Sequence, residues 1–404
     1  MKKFILVHWL KSYSPSNLNR DDLGRAKSVQ WGNAKRLRIS SQCIKRALRI
    51  SETFGGEFEL ESVRTNRMAE HLLETYRNTG QYDEKTVAEA AIIIQMILRE
   101  GDCSEFLTTG RGRSYSIEDV LKSFRKDYED NPEKALEDAS HFKTKEIFHF
   151  HTHEKYGAIQ AMEMLCEYGI PSEEDYDSDN EAVEELFKNL VLTIKQDGDP
   201  LRVADVALHG RMFTSGSNEN VSGAVKVSHM VSTHESVPED DFFTAVDDLN
   251  LGSGSAHMGS KYYSSGVMYG FAAIDTELLR DNLELLSGQS VSDEQVIKII
   301  ETWFKAIVVE NPSGSQTSMA SIPYADYVRV EKTDAQPCSY QRAFLKAVEG
   351  DDLLKESIHA LESTINEKDL AWSSLGSCEF AVVNVPAKEG NWEDIVVFLK
   401  DEIE

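Results

Sequence analysis

Phe4-Ile5-Leu6-Val7-His8-Trp9-Leu10 is the stretch on which the fold turns. It is almost wholly aliphatic or aromatic and only seven residues long. That reads as a strand buried on both faces, because a half-buried strand alternates and a helix needs a longer run. Polar residues follow it and no small-residue cleavage site appears, so a buried strand explains it better than a signal peptide. A second apolar run, Phe380 to Val385, has the same character near the far end. The simplest expectation is that the beginning and end strands pair in one α/β sheet.

The chain between them predicts the rest. Ser12 to Arg38 lacks periodicity and holds Pro15, Gly24 and Gly32 among Asn and Asp, which reads as an extended, turn-rich loop. Ser40 or Ser41 then caps a helix through Gln42 to Arg49. Residues near 66 to 198 predict mainly helices: Met68 to Tyr76, Glu84 to Leu98, Ile117 to Tyr128 and Lys155 to Tyr168, with Glu173 to Glu184 a solvated charged loop with a following helix start. From 203 to 275 the Gly, Ser, Thr and aromatic content fits short strands with mobile loops. Leu278 to Leu286, Asp293 to Val308, Ser339 to Ala347 and Asp352 to Leu361 read as helices. Tyr324 to Val330 reads as a strand, and Asp394 to Phe398 as a strand or short terminal helix. The fold class is therefore α/β (α+β), a strand-containing core interrupted by a large helical insertion. No internal repeat is evident.

At 404 residues the chain is ample for more than one structural unit. No run approaches eighteen apolar residues, which argues against a membrane span. Cys43, Cys103, Cys166, Cys338 and Cys378 are odd in number and far apart. They form neither a disulfide framework nor a metal knuckle, which points to a cytoplasmic chain with reduced thiols. Net charge is −26, which alone argues against a nucleic-acid partner. The distribution says otherwise. Residues 1 to 50 carry twelve Lys or Arg against two acidic residues, +10, leaving −36 on the remainder. Such segregation makes a local positive field that the total conceals.

Four segments could carry chemistry. Ser12 to Asp22, which includes Arg20, continues through Arg25 and Lys27. Lys35-Arg36-Leu37-Arg38-Ile39-Ser40-Ser41-Gln42 leads into Lys45, Arg46 and Arg49. On a helix, Gln42, Lys45, Arg46 and Arg49 share a face at three- and four-residue spacing. Cations beside a capped helix start suit a phosphate chain; the same pattern also fits an amphipathic helix with a solvated basic face. In Ala207 to Gly216, Arg211 could engage phosphate, while Met212 or Phe213 could meet bases or belong to the core. Ser228 to Gly266 reads as a long irregular loop, whose Phe242 and Phe243 could stack on bases.

Ser14-Pro15-Ser16-Asn17-Leu18-Asn19-Arg20-Asp21-Asp22 and Arg38-Ile39-Ser40-Ser41-Gln42 with Lys45-Arg46-Ala47 resemble the N-terminal signature of the CasC backbone subunit family of type I-E CRISPR Cascade. The resemblance returns in order at Gly210-Arg211-Met212, Phe243-Thr244-Ala245-Val246-Asp247-Asp248-Leu249, Gly254-Ser255-Ala256-His257 and Tyr263-Ser264-Ser265-Gly266-Val267. Secure matching covers about half the chain. The resemblance implies a modified RRM/ferredoxin-like palm with a large helical finger insertion and a protruding thumb loop. The palm would occupy 1–60 and 201–404, the fingers 61–200 and the thumb about 228–265. The insertion is longer than in familiar members and includes the basic Thr109 to Arg113 loop.

The implied role is non-catalytic: a crRNA-binding backbone subunit of a ribonucleoprotein of antiviral defence. Copies would stack as a helical oligomer along the guide. Arg20, Lys27, Ser40, Gln42, Lys45, Arg46 and Arg49 would hold guide phosphates or ribose, Arg211 and Met212 would support the kinked guide, and Phe242 and Phe243 would lie against displaced bases. Specificity would come from guide pairing with target DNA. Implied partners are the CRISPR RNA, neighbouring copies, and the Cascade large subunit, small subunits, 5′-handle-binding subunit and crRNA-processing endoribonuclease, with no cofactor, metal or membrane.

Two other readings stay open. A metal-dependent ribonuclease would draw on His149, His151, His153 and Glu154, or on Asp247 and Asp248. A nucleic-acid-free scaffold would assemble regardless of nuclease treatment.

Overall fold

The computed structural model describes residues 1–401 except 78–80, 101–116, 141–146, 173–180, 213–219, 247–254 and 377. Its strands are β1 (Phe4–Ser16), β2 (Ser28–Trp31), β3 (Ala34–Ile39), β4 (Val63–Thr65), β5 (Phe148–Phe150), β6 (Val225–Val227), β7 (Met230–Ser232), β8 (Glu239–Val246), β9 (Ser255–Asp275), β10 (Tyr327–Thr333) and β11 (Glu379–Asn384). The chain divides into a sheet unit (Met1–Phe58, Ala224–Asp281 and Val291–Glu404) and a helical unit (Glu59–Gly223 and Asn282–Ser290).

In the sheet unit β1 is central, as its composition demands. Every residue from Phe4 to Leu10 is buried, so both faces are covered. β1 pairs antiparallel with β9, Phe4 opposite Asp275 through Tyr13 opposite Gly266. It pairs with β10 on the other side, Phe4 opposite Thr333 through Leu10 opposite Tyr327. The sheet order is β11–β10–β1–β9–β7–β3–β2, with β6 and β8 also pairing with β9. The beginning and end runs thus share the sheet without being neighbours, because β10 lies between them. Phe4, Leu6 and Leu10 pack with Tyr269, Phe344 and Leu361, the last from the helix Leu353–Trp372. Trp9 lies across from Gly270, where an added Cβ would come within 2.2 Å of the indole, so only glycine admits the ring.

Local expectations fail where tertiary partners intervene. Ser12 to Arg38 is not one extended loop: β1 runs on to Ser16 against β9, and β2 and β3 form a hairpin, Ser28 opposite Leu37 through Trp31 opposite Ala34. The helix expected over Ser339 to Ala347 is only a 3-10 turn, Gln341–Phe344. Tyr340 and Phe344 are anchored in the core, and the Tyr340 N–H donates to the Tyr269 hydroxyl at 3.1 Å. Residues 203 to 275 are not short strands alone; they contain the helix Ala204–His209 and the 21-residue β9. Asp394 to Phe398 lies within a helix, Trp392–Lys400, capped by Asn391.

The helical unit contains α2 (Met68–Arg77), α3 (Glu84–Glu100), α4 (Ile117–Asp130) and α6 (Thr152–Tyr168), near their expected positions, and α5 (Pro132–Ser140), which lies outside the expected spans. Helices Glu181–Ile194 and Ala204–His209 and the β4–β5 pair complete it. Its core joins Ile93 and Ile94 of α3 to Ala158, Met162 and Leu165 of α6 and to Phe187 and Leu190. The unit extends to Gly223 rather than ending at 200. Ala204 to Leu208 are buried, and Asp205 is bonded to His149 and Ser62 within this unit. Thr109 to Arg113 lies outside the described residues, as does 173–180 of the charged stretch.

Candidate nucleic-acid interface

Helix α1 (Ser41–Arg49) organises the basic segment. Ser40 is its N-cap: the hydroxyl accepts from the Cys43 N–H at 3.3 Å, and the Ser40 N–H donates to Asn19 Oδ1 at 3.0 Å. Ser40 therefore has a structural task, and no acidic residue occupies the first turn. Ile44 and Leu48 are buried, which turns Gln42 and Arg46 to solvent and leaves Lys45 and Arg49 half-buried. The expected single row of four is thus divided. Lys45 Nζ donates to the Val225 carbonyl at 3.4 Å, and burial holds its ammonium below the usual lysine range.

The preceding loop is folded back on itself. Asp21 Oδ1 accepts from the N–H groups of Leu23 (3.0 Å) and Arg25 (2.8 Å), and the Lys27 N–H donates to the Asn19 carbonyl at 2.8 Å. Exposed Arg20 pairs across this loop with Ala26. Loop and helix enclose a groove of about 560 Å³ with Leu18, Cys43, Ala47 and Ile50 among its lining, Arg20 and Arg46 as its cations, Asp21 and Asp22 as its carboxylates, and Pro312, Ser313 and Gly314 as a further wall. That volume fits a nucleotide-sized ligand. Burial pushes the Cys43 thiol up while Lys27 and Arg46 pull it down, which locates both cations near the groove. Lys27 and Arg38 similarly add to the burial that lowers His229, whose Nδ1 accepts from the Ser41 N–H at 2.9 Å. Arg20, Lys27 and Arg38 thus gather near the start of α1 and Arg46 lies in its last turn, four cations against the carboxylates of Asp21 and Asp22, so the net charge of −26 does not describe this surface.

Ser228 to Gly266 is not an irregular loop. β8 and the first half of β9 form a hairpin, Glu239 opposite Tyr263 through Ala245 opposite His257. Strand alternation sends Phe242 and Phe243 to opposite faces, so one surface does not present both rings. Phe242 is 63% exposed and shares its face with Met258, 61% exposed, and with Tyr262, over which the Arg25 guanidinium lies at 5.4 Å. Phe243 instead covers Gly259, with Lys261 Nζ 5.0 Å from its ring centre.

The helical unit holds the remaining residues. Arg211 is not turned to solvent: its side chain is 5% exposed and bonded to buried Glu154. Met212, beside it, is 76% exposed. Phe213 lies outside the described residues. A cavity of about 330 Å³ is lined by Arg64, His149, His209, Arg211 and Met212. The alternating histidines diverge. His149 Nε2 bonds Asp205 at 3.0 Å, His151 caps α6 in a capping box with Glu154, and His153 bonds the Asp199 carbonyl at 3.1 Å. Among the described residues no group of three or more His, Cys, Asp or Glu is arranged to hold a metal ion. Asp247 and Asp248 lie outside the described residues.

Two contributors had no sequence signal. Pro312 to Gly314 belong to none of the four segments singled out above. Lys11, in the polar tail of β1, is 1% exposed and anchors that wall, with Nζ donating to the Glu310 carbonyl at 2.6 Å. Burial lowers its pKa to about 7, against the attraction of Glu310 and Asp326. Because the unfolded lysine holds its proton up to about 10.4, unfolding takes up a proton between these values and stability rises with pH. We expect the urea unfolding free energy to increase from pH 7.5 to 9 by about 2 kcal/mol from this group, and Lys11→Met to remove the increase. An identical slope in the variant would refute the assignment.

A family model described as CT1975-like protein matches residues 5–396. One solved chain, titled "CRISPR RNA-guided surveillance complex, pre-nicking", is 22% identical with a TM-score of 0.70, covering 99% of both chains. Another, titled "CRISPR RNA-guided surveillance complex", is 18% identical with a TM-score of 0.63, covering 98% of this chain and 99% of that one. At these identities the likeness is one of fold. No curated protein matches.

Proposed function

The chain belongs to the CT1975-like family, and on that premise we propose that it is a non-catalytic crRNA-binding backbone subunit of a Cascade-type surveillance complex. The observation that carries this reading is the groove beside α1, where Arg20, Lys27, Arg38 and Arg46 outnumber the carboxylates of Asp21 and Asp22. Arg20 and Arg46 line it with Asp21 and Asp22 and with Leu18, Cys43, Ala47 and Ile50, and Lys27 and Arg38 are close by, in a chain that is otherwise strongly acidic. Arginines beside a nucleotide-sized cleft bind a phosphate chain without reading sequence, which is the chemistry of a guide holder.

The fold supports the same reading. The central order β10–β1–β9–β7 is antiparallel throughout, with α1 between β1 and β7 in sequence and the helices Thr276–Ser287 and Asp293–Val309 between β9 and β10. That order supports reading this unit as a ferredoxin-like, RNA-recognition-type palm. The β8–β9 hairpin supports the thumb. A two-stranded ribbon exposed on both faces is marginal alone, and contact with a neighbouring copy and with guide bases would stabilise it. The ordered sequence blocks favour a type I-E complex, with the large, small, 5′-handle-binding and crRNA-processing subunits as partners and target DNA engaged through the guide. No helix among the described residues is long and apolar enough to cross a membrane, and the setting we propose is the cytoplasm.

The test is co-expression with a CRISPR array and the neighbouring effector subunits, followed by absorbance and sequencing of the retained nucleic acid. We expect intact repeat–spacer RNA protected at regular intervals. Protein free of RNA would overturn the proposal in favour of a scaffold, and RNA cut by the purified chain would overturn its non-catalytic part.

A further inference from the structure

The wall opposite α1 is a constructed loop. Asn311 Nδ2 donates to the Val309 and Pro323 carbonyls at 3.1 and 3.0 Å, closing the neck. Gln316 Nε2 spans the interior to the Pro312 and Ser321 carbonyls at 3.0 and 2.7 Å. Lys11 holds the base from β1, and the Ser321 hydroxyl donates to the Ser14 carbonyl at 3.2 Å. An added Cβ at Gly314 would lie 2.4 Å from the Leu18 carbonyl, so the loop meets the groove floor in close contact. Ser315 and Ala320 adopt left-handed backbone, φ 57° and 46°. Such strain persists only where the surroundings over-determine it, and it clusters at functional sites. Compact loops with closed necks are likewise often functional.

The chemistry of this loop differs from that of the wall it faces. Residues 311–326 contain no Lys or Arg, and Ser313, Ser315, Thr317 and Ser318 supply hydroxyls. Ser313 is exposed and lines the groove that Arg20 and Arg46 also line. A neutral hydroxyl wall does not neutralise phosphate. It matches a sugar hydroxyl, to which serine can both donate and accept. The ribose 2′-hydroxyl is the group that separates RNA from DNA at a given site.

We propose that Ser313 reads a ribose 2′-hydroxyl of the nucleotide whose phosphate lies on Arg20 and Arg46, so that this loop selects RNA over DNA. The inference rests on the reading of the groove as a guide-RNA site. It is tested by fluorescence anisotropy on the full chain, with one labelled single-stranded RNA and the DNA of the same sequence, for wild type, Ser313→Ala and Ser313→Thr.

Wild type binds RNA more tightly. Ser313→Ala loses about fivefold on RNA, the worth of one hydrogen bond, and nothing on DNA, while Ser313→Thr retains the preference. Equal losses on both nucleic acids would make the loop a structural wall and overturn the proposal, as would an alanine variant indistinguishable from wild type. A wild-type chain that binds neither oligonucleotide would instead remove the groove reading, and the inference with it.

Discussion

Replacing Arg20 and Arg46 together by alanine is expected to weaken binding of single-stranded RNA roughly a hundredfold at low salt. Each guanidinium makes a charge-assisted contact worth about 1.5 kcal/mol or more, and two such losses multiply to about that factor. The salt dependence adds a second readout. Each phosphate neutralised on a single strand contributes about 0.7 to the slope of log affinity against log salt, so the variant should lose about 1.4 from it. Both side chains are exposed, so the thermal midpoint should shift little. These two arginines are more telling than Lys45, which is half-buried against the Val225 carbonyl, or Ser40, whose hydroxyl is committed to the cap. Titration of labelled RNA at several salt concentrations checks both numbers. Unchanged affinity and slope would place the guide elsewhere.

Asp205→Ala should destabilise the helical unit by about 3–5 kcal/mol, the cost of removing one partner from a buried charged cluster. Asp205 is fully buried, with Oδ2 bonded to His149 Nε2 at 3.0 Å and to the Ser62 hydroxyl. Burial alone would raise its pKa; hydrogen bonding and charge from His149, with help from Ser62, hold it down at about 2. A carboxylate depressed in this way contributes its full stability above its unfolded value, near 3.9. That contribution is lost as pH falls from there toward 2. The alanine variant should therefore unfold at lower urea at pH 7, open faster in hydrogen exchange over Ala204–His209, and lack the acid-dependent loss between about pH 4 and 2. A change below about 1 kcal/mol would show the cluster to be dispensable.

A comparable cluster sits in the sheet unit. His8 Nδ1 lies 2.8 Å from the Tyr269 hydroxyl, and Glu331 is bonded to Arg329 Nε at 2.6 Å, with His8 and Glu331 almost wholly inaccessible. Glu331 is pulled down to about 2 by His8 and Arg329 against its burial.

The sequence by itself determined the fold class, β1 as a strand buried on both faces, the helices around α3 and α6, the cap of α1 and the concentration of cations in the first fifty residues. These depend on local period, on capping chemistry and on composition, all of which act over a few residues. Tertiary structure alone decided which cations share a groove. Rotation of α1 onto Ile44 and Leu48 turned Lys45 aside and Arg46 outward, and closure of the Asn311–Pro323 loop brought Ser313 to a groove nearly three hundred residues away in sequence. It also decided that Phe242 and Phe243 part company and that Arg211 is held by Glu154. Strand register and long-range pairing of buried charge are settled by partners distant in sequence, so the order of residues within each segment carries no trace of them.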